Sequence, residues 1–198
     1  MDLFKHVIFL SLAMLVFKSS ISFGYAVVPK CHEFDLGRMI RETNDLSPDY
    51  QCEVSSILSR SSQPHAEWIY SLANPQIREV PFRAVVNLRG ESNAEAPHVI
   101  RAGMIAKHIP VKDLNPPTIN QITDFLTFVK NPAHQPVLVH CKAGQGRSGT
   151  FVATYRLAIE NRSLEEVLKE AQAFNVNEKQ QNFIKEFHKQ LKSGQIVF

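Results

Sequence analysis

His140 to Thr150 reads HCKAGQGRSGT and places a thiol, a guanidinium, a hydroxyl and two loop glycines within eleven residues. The run follows a compact apolar segment, Pro136 to His140 (PVLVH), and leads into a helical pattern from about Ser148 to Ile159. A strand–loop–helix of this kind, with Gly144 and Gly146 in the loop, lets successive backbone N–H groups turn inward. They then form an anion-binding concavity at a helix N-terminus. Cys141 stands at the base of that concavity, where the same donors favour its thiolate. Arg147, six residues on, can return over the loop and hold two phosphate oxygens through its planar fork. The expected phosphate-binding set is therefore Lys142, Ala143, Gly144, Gln145, Gly146 and Arg147. A nucleophilic sulfur beneath such a cradle suits in-line attack on a phosphomonoester.

Elements elsewhere in the chain must carry this loop. Val54 to Ser59 (VSSILS) is a β-prone run, and Arg83 to Leu88 (RAVVNL) and Met104 to Pro110 (MIAKHIP) are strand candidates. PVLVH has the character of a strand buried on both faces of a parallel sheet. His65 to Ala73 reads as a helix with Trp68, Ile69 and Leu72 on one side. Thr118 with Gln121, and Ser163 with Glu166, fit capping boxes that open two further helices. Ile119, Ile122, Leu126 and Val129 share a face in the first, and Leu164, Val167, Leu168 and Ala171 in the second. Phe183, Ile184, Phe187 and Leu191 mark a last helix. Strands alternating with helices predict a single α/β domain whose central sheet of four to five strands is mostly parallel.

The loop resembles the C-x5-R-[S/T] signature of the cysteine-based protein tyrosine phosphatase superfamily, in its small dual-specificity branch. Cys141, Arg147 and Ser148 stand at the defining positions, and His140 matches the usual preceding histidine. The competing reading is a rhodanese-like or merely structural loop, which leaves the placing of Arg, Ser and both Gly unexplained. Ser59 to Pro64 (SRSSQP), Arg83 to Glu91 (RAVVNLRGE) and His108 to Pro117 (HIPVKDLNPP) resemble further segments of bacterial members, so the likeness runs from about Val54 to Leu191. It implies a tyrosine-phosphatase-like fold and a cysteinyl-phosphate intermediate. It also implies that Ser148 hydrogen-bonds the sulfur and eases its departure. His140 orients the loop in either a structural or an electronic role. Arg60 either supports the cradle or makes a surface ion pair.

An ester oxygen departs poorly unless it is protonated, an effect usually worth about 10² to 10⁴ in rate. Asp113 follows a strand candidate, precedes Asn115-Pro116-Pro117 and lies 28 residues before Cys141, a spacing that resembles the family's general acid. The same residue would then activate water against the cysteinyl-phosphate. Asp124 is the other candidate, but its position inside the Thr118 helix fits a solvated helix face. Arg89 reads as support for a sheet end, and His108 and His134 as structural. The chain has no HExxH and no paired Cys/His cluster, and this chemistry calls for no metal and no cofactor.

Substrate class is less legible. Lys142 adds positive charge beside the cradle, and the C-K-A-G-x-G-R form is similar to loops of both protein and phosphoinositide phosphatases. The lipid enzymes usually place a second lysine where this chain has Gln145. The expected partner is thus a phosphorylated protein, or a phosphorylated small molecule or lipid head group. The readings in order are a protein tyrosine or dual-specificity phosphatase, a phosphoinositide or inositol phosphate phosphatase, and a phosphate-binding pseudophosphatase. Against the last, a binder has no need of a nucleophile and an acid.

The 198 residues are 44% hydrophobic and 21% charged, an ordinary globular composition that excludes a disordered or collagen-like chain. A net charge of +3, with basic residues scattered rather than striped, does not indicate nucleic acid. Residues 1–26 read as a signal peptide: a short start with Lys5, an apolar run from Val7 to Phe17, and small residues at Gly24 and Ala26. The alternatives are an uncleaved anchor or a buried first helix. Cleavage implies an exported protein, periplasmic or secreted, with no stable membrane span. Residues 27–53 would then form an N-terminal extension and 54–198 the phosphatase domain. In an oxidising compartment Cys31 and Cys52, 21 residues apart, either pair or remain two structural thiols, and Cys141 is the odd thiol.

Overall fold

The computed structural model describes residues 28–33, 35–43 and 49–198, so the expected signal peptide lies outside the described residues. In chain order the elements are α1 (Leu36–Thr43), β1 (Gln51–Ser55), β2 (Leu58–Ser61), α2 (Ala66–Leu72), β3 (Ala84–Arg89) and α3 (Ala96–Arg101). They continue with β4 (Ile105–Val111), α4 (Ile119–Lys130), β5 (Val137–His140), α5 (Gly146–Ala158), α6 (Leu164–Ala173) and α7 (Glu178–Lys192). The five strands form one sheet in the order β1-β2-β5-β3-β4. Every pairing is parallel except β1 with β2.

Alternation along the strands explains why both sheet faces are covered. Ala84, Val86 and Leu88 of β3, with Val137 and Val139 of β5, join one core; Val85 and Leu138 point the opposite way into a second. Successive side chains leave opposite faces of a strand, so an unbroken apolar run requires partners on both sides. The larger core is closed by Ile122, Phe125 and Leu126 of α4, Ile184 and Phe187 of α7, and much of α5. Phe125 meets Phe151 edge to face, with ring centroids 5.1 Å apart. The smaller core is closed by Ile69 and Leu72 of α2 and Val99 of α3.

α5 is buried on all sides, and its two threonine hydroxyls bond within the helix. The Thr150 hydroxyl donates to the Gly146 carbonyl, and the Thr154 hydroxyl to that of Phe151. Arg156 is fully enclosed and donates to Glu160, Glu170 and the Val54 carbonyl. Both expected capping boxes are present, and a third, Asn177 with Gln180, opens α7.

Four differences from the sequence reading bear on the site. The run Val54 to Ser59 is the turn region of a hairpin, because the chain reverses at Ser56-Ile57 and β1 pairs antiparallel with β2. β1 begins at Gln51, ahead of the boundary expected at Val54, and Cys31, Leu36, Tyr50 and Cys52 are buried in the main core. α5 begins at Gly146, so Arg147 belongs to its first turn. The connection between β3 and β4 contains α3, whose Val99 faces the smaller core.

Candidate active site

β2, β5, β3 and β4 point the same way, and the functional side chains arrive on the connections that leave their C-terminal ends. That end of an open α/β sheet is where ligands collect. β5 delivers Cys141 and the loop to Gln145, β3 delivers Glu91, and β4 delivers Asp113. Arg60 lies within β2.

Cys141, Arg147 and Asp113 line one hollow of about 280 Å³, together with Lys142, Ala143, Gln145 and Gly146. Cys141 sits at its base, 3% exposed. Its Sγ lies 3.5 Å from the Ser148 hydroxyl, within reach of a weak sulfur hydrogen bond. Gly144 takes φ of +69°, a conformation that costs a side chain heavily, and an added Cβ would stand 2.6 Å from the Tyr50 hydroxyl.

Arg147 is 2% exposed and held from three directions. Glu91 accepts from both terminal nitrogens, with Oε2 2.7 Å from Nη1 and Oε1 3.1 Å from Nη2. The Val111 carbonyl accepts from Nη1 at 3.2 Å, and Asp113 Oδ1 lies 3.2 Å from Nη2. Nε is buried without a hydrogen-bond partner among the described residues. The fork thus turns one edge to Glu91 and keeps a donor for an oxyanion on the other. Burial works against the guanidinium charge, but Glu91, Cys141 and Asp113 outweigh it and raise its pKa. Glu91 answers in kind: hydrogen bonding from Arg147 leads, burial opposes, Arg89 adds, and its carboxyl is pushed down to about 2. Glu91 reaches this position because Gly90 passes close to β4, donating its N–H to the Val111 carbonyl at 3.0 Å.

Asp113 is well exposed on a loop pinned from α7. Asn177 donates to the Leu114 carbonyl at 3.0 Å and Gln180 to the Asn115 carbonyl at 3.2 Å. His140 is fully buried behind the loop, its Nδ1 3.1 Å from the Cys141 carbonyl and its Nε2 3.4 Å from Glu95. Burial works to raise the Glu95 carboxyl, but His140, its own backbone and Arg89 hold it below the usual carboxylate range.

Arg60, with a surface ion pair as its alternative, is fully buried and serves the loop: its Nη2 donates to the carbonyls of Gly144 at 2.7 Å and Gln145 at 3.2 Å. Asp124 pairs with Lys107 on an exposed helix face. His108 bonds the Arg89 carbonyl, and His134 stacks on Phe128. Arg89 pairs with Glu91 and Gln63 beside the sheet end. Glu91, Tyr50 and Gln180 escaped the sequence reading. Glu91 ended a segment already matched to the family, which was the one available signal.

A mostly parallel sheet whose central strand feeds a cysteine, an amide-lined loop and an arginine at a helix start defines the cysteine-based phosphatase class. The chain belongs to the family described as DSP-PTPase phosphatase fused to NAD+ kinase, which matches residues 41–190. It is 41% identical over 61 residues to the rat (Rattus norvegicus) phosphatidylglycerophosphatase and protein-tyrosine phosphatase 1, covering 29% of this chain and 32% of that protein. The chain therefore matches about a third of the length of that curated relative. PTPMT1 in complex with PI(5)P superposes with a TM-score of 0.63 at 24% identity, over 75% of this chain and 100% of that one. The core catalytic domain of the PP-IP phosphatase SIW14 from S. cerevisiae gives 0.61 at 23%, over 73% and 91%. Likeness at that identity establishes the fold.

Proposed function

We propose that the protein is a phosphomonoester hydrolase, in the first reading a protein tyrosine or dual-specificity phosphatase, working through a cysteinyl-phosphate. The carrying observation is that Cys141, Arg147 and Asp113 converge on one hollow, with the guanidinium anchored on its far edge by Glu91. The Cys141 thiolate attacks phosphorus as the bond to the ester oxygen breaks, and the Asp113 carboxyl gives that oxygen its proton. Inward amides and Arg147 hold the equatorial oxygens as their charge redistributes. Water then attacks the cysteinyl-phosphate. The Asp113 carboxylate takes its proton, the S–P bond breaks, and Ser148 donates a hydrogen bond to the departing sulfur.

Turnover of an aryl phosphate tests this, with trapping of phosphate on the protein by acid quench. Cys141→Ser should abolish both signals; retained turnover would remove Cys141 from the role of nucleophile.

A second reading, a phosphoinositide or inositol phosphate phosphatase, is favoured by one feature. A larger hollow of about 640 Å³ adjoins the first, sharing Asp113 and Lys142 with it and adding Lys112 and Arg89. Lys112 and Lys142 make no ion pair among the described residues, so this hollow offers two unpaired ammonium groups beside the carboxylates of Glu91 and Asp113. Phosphate release from phosphopeptides, phosphoinositides and inositol phosphates, compared by kcat/KM, decides between the readings.

Export is part of the proposal. The leader-like residues 1–26 support it, as does the Cys31–Cys52 disulfide, a bond suited to an oxidising compartment. Mass analysis of the mature N-terminus tests it. Among the described residues no helix is long and apolar enough to cross a membrane.

A further inference from the structure

The catalytic loop is held from behind by groups that never enter its hollow. The Gly144 carbonyl accepts two hydrogen bonds, one from the Tyr50 hydroxyl and one from Arg60 Nη2 at 2.7 Å. The Gln145 carbonyl accepts from the Gly149 N–H at 2.6 Å and again from Arg60. In a planar trans peptide the C=O and the following N–H point opposite ways. Tying the Gly144 and Gln145 carbonyls outward therefore turns the Gln145 and Gly146 N–H groups toward the oxyanion side.

Tyr50 lies in a segment whose own position is fixed covalently. Its N–H donates to the Ser62 hydroxyl at 3.0 Å, and its carbonyl accepts from the Ser62 N–H at 3.1 Å. Two residues on, Cys52 pairs in register with Arg60, the other group on the Gly144 carbonyl. Cys52 is bonded to Cys31, closing a loop with a sequence separation of 21 that contains Tyr50. The Cys31 N–H also donates to the Glu53 carbonyl, and the Glu53 N–H to that of Pro29, both at 2.8 Å. The strap thus runs along β1, which among the described residues is otherwise paired to β2 alone. Phe174 completes the wall, its ring 3.7 Å from the Arg60 guanidinium carbon and 6.1 Å from the Tyr50 ring.

We infer that Tyr50 is a positioning residue for phosphoryl transfer, held against the catalytic loop by the Cys31–Cys52 disulfide. The inference rests on the phosphatase reading for its kinetic consequence and on the loop geometry alone for its oxyanion-binding consequence. Arg60 by itself leaves the Gly144 peptide one anchor, and that anchor is shared with Gln145. Tyr50 supplies the second from a different direction, which resists rotation of the peptide plane. Burial pushes its phenol up to about 12, with Arg60 lowering and Cys141 raising it, so the hydroxyl keeps its proton across the working pH range.

The test uses Tyr50→Phe, which removes one oxygen and keeps the ring, in the full chain with the disulfide formed. At a temperature well below unfolding, kcat for an aryl phosphate should fall about tenfold, the loss of one hydrogen bond expressed in the transition state, with KM little changed. Vanadate, an oxyanion probe that needs no turnover, should bind about tenfold more weakly by calorimetry. Cys31→Ala/Cys52→Ala should reproduce part of both losses. Tyr50→Phe should cost less in that background than in the parent, because coupled groups are non-additive. Unchanged kcat and vanadate affinity in Tyr50→Phe, with only a lowered Tm, would make the residue merely structural and overturn the inference. Strictly additive losses would overturn the role of the disulfide. If the parent releases no phosphate, the phosphatase reading fails by itself, and vanadate binding still decides the positioning role.

Discussion

Glu91 grips Arg147 by both terminal nitrogens at 2.7 and 3.1 Å, across a sequence separation of 56 residues. The pair aligns a buried guanidinium before any substrate arrives, and leaves the opposite edge of the fork to an oxyanion. Glu91→Gln keeps the shape and removes the charge. Hydrogen bonds to charged groups contribute about 1.5–3 kcal/mol, and partial exposure of Glu91 argues for the low end, so kcat/KM should fall about tenfold.

The same pair makes a statement about pH. The Glu91 carboxyl is pushed down to about 2, chiefly by Arg147, so its stabilising contribution is present above the ordinary carboxylate value. That contribution is lost as pH falls toward about 2. Between about pH 4 and 7 the pair stays ionised, and the acid limb of the rate profile belongs to other groups. Glu91→Gln should therefore lower the whole profile without moving its acid limb. A limb displaced by a full pH unit would mean that Glu91 titrates within the working range.

How far the site could be read in advance follows from how local each part is. Cys141, the loop around it and Arg147 lie within eleven consecutive residues behind an apolar strand, so one strand–loop–helix pattern carried them. The capping boxes at Thr118 and Ser163 are equally local, each closed over three residues. Glu91 and Tyr50 are not: they meet the loop across 56 and 94 residues, where no short-range pattern reports a contact. The hairpin was missed because Ser56-Ile57 turns without Gly, Pro or Asn, the residues that usually mark a reversal. α3 was missed because one buried residue, Val99, does not make a helical stripe.

In the proposed mechanism Asp113 protonates the leaving oxygen, and its contribution should then scale with how badly that oxygen needs a proton. Against an alkyl phosphate, Asp113→Asn should lose about 10² to 10⁴ in kcat/KM. Against an activated nitrophenyl ester the loss should be far smaller. Rates measured over a series of leaving groups should give a steeper dependence in the variant. Equal losses across the series would mean that Asp113 acts through its contact with Arg147 instead.

Gly144→Ala tests the loop backbone. Positive φ costs a non-glycine residue about 1–2 kcal/mol, and the new Cβ would meet the Ser61 carbonyl at 2.7 Å as well as Tyr50. A loss of that size lowers Tm by about 2–4 °C per kcal/mol in a chain of this length. Activity should fall further than stability, because relieving the clash moves the very peptide that aims the loop amides. Full activity with a lowered Tm would show that the loop tolerates the shift.

Cys141 should meet oxidants without a partner thiol. The chain has three cysteines, and Cys31 and Cys52 consume two of them, leaving Cys141 as the free thiol. A peroxide takes its thiolate to a sulfenic acid, the peroxide bond breaking and hydroxide leaving. No second thiol of the chain is then available to condense with it. Mass mapping after peroxide treatment should show Cys141 as sulfenic and then sulfinic acid, with the Cys31–Cys52 pair unchanged. Activity should return on adding reductant only while the sulfur is still at the sulfenic stage. Cys31→Ala frees Cys52 but should leave the outcome unchanged, because β2 stands between β1 and β5 and two strand spacings of about 9–10 Å exceed the roughly 7 Å that a disulfide spans. Recovery of a Cys52–Cys141 bridge in that variant would mean that β1 detaches from the sheet edge far enough for Cys52 to reach the loop. The same bridge found in the parent would mean that the strap exchanges under oxidation.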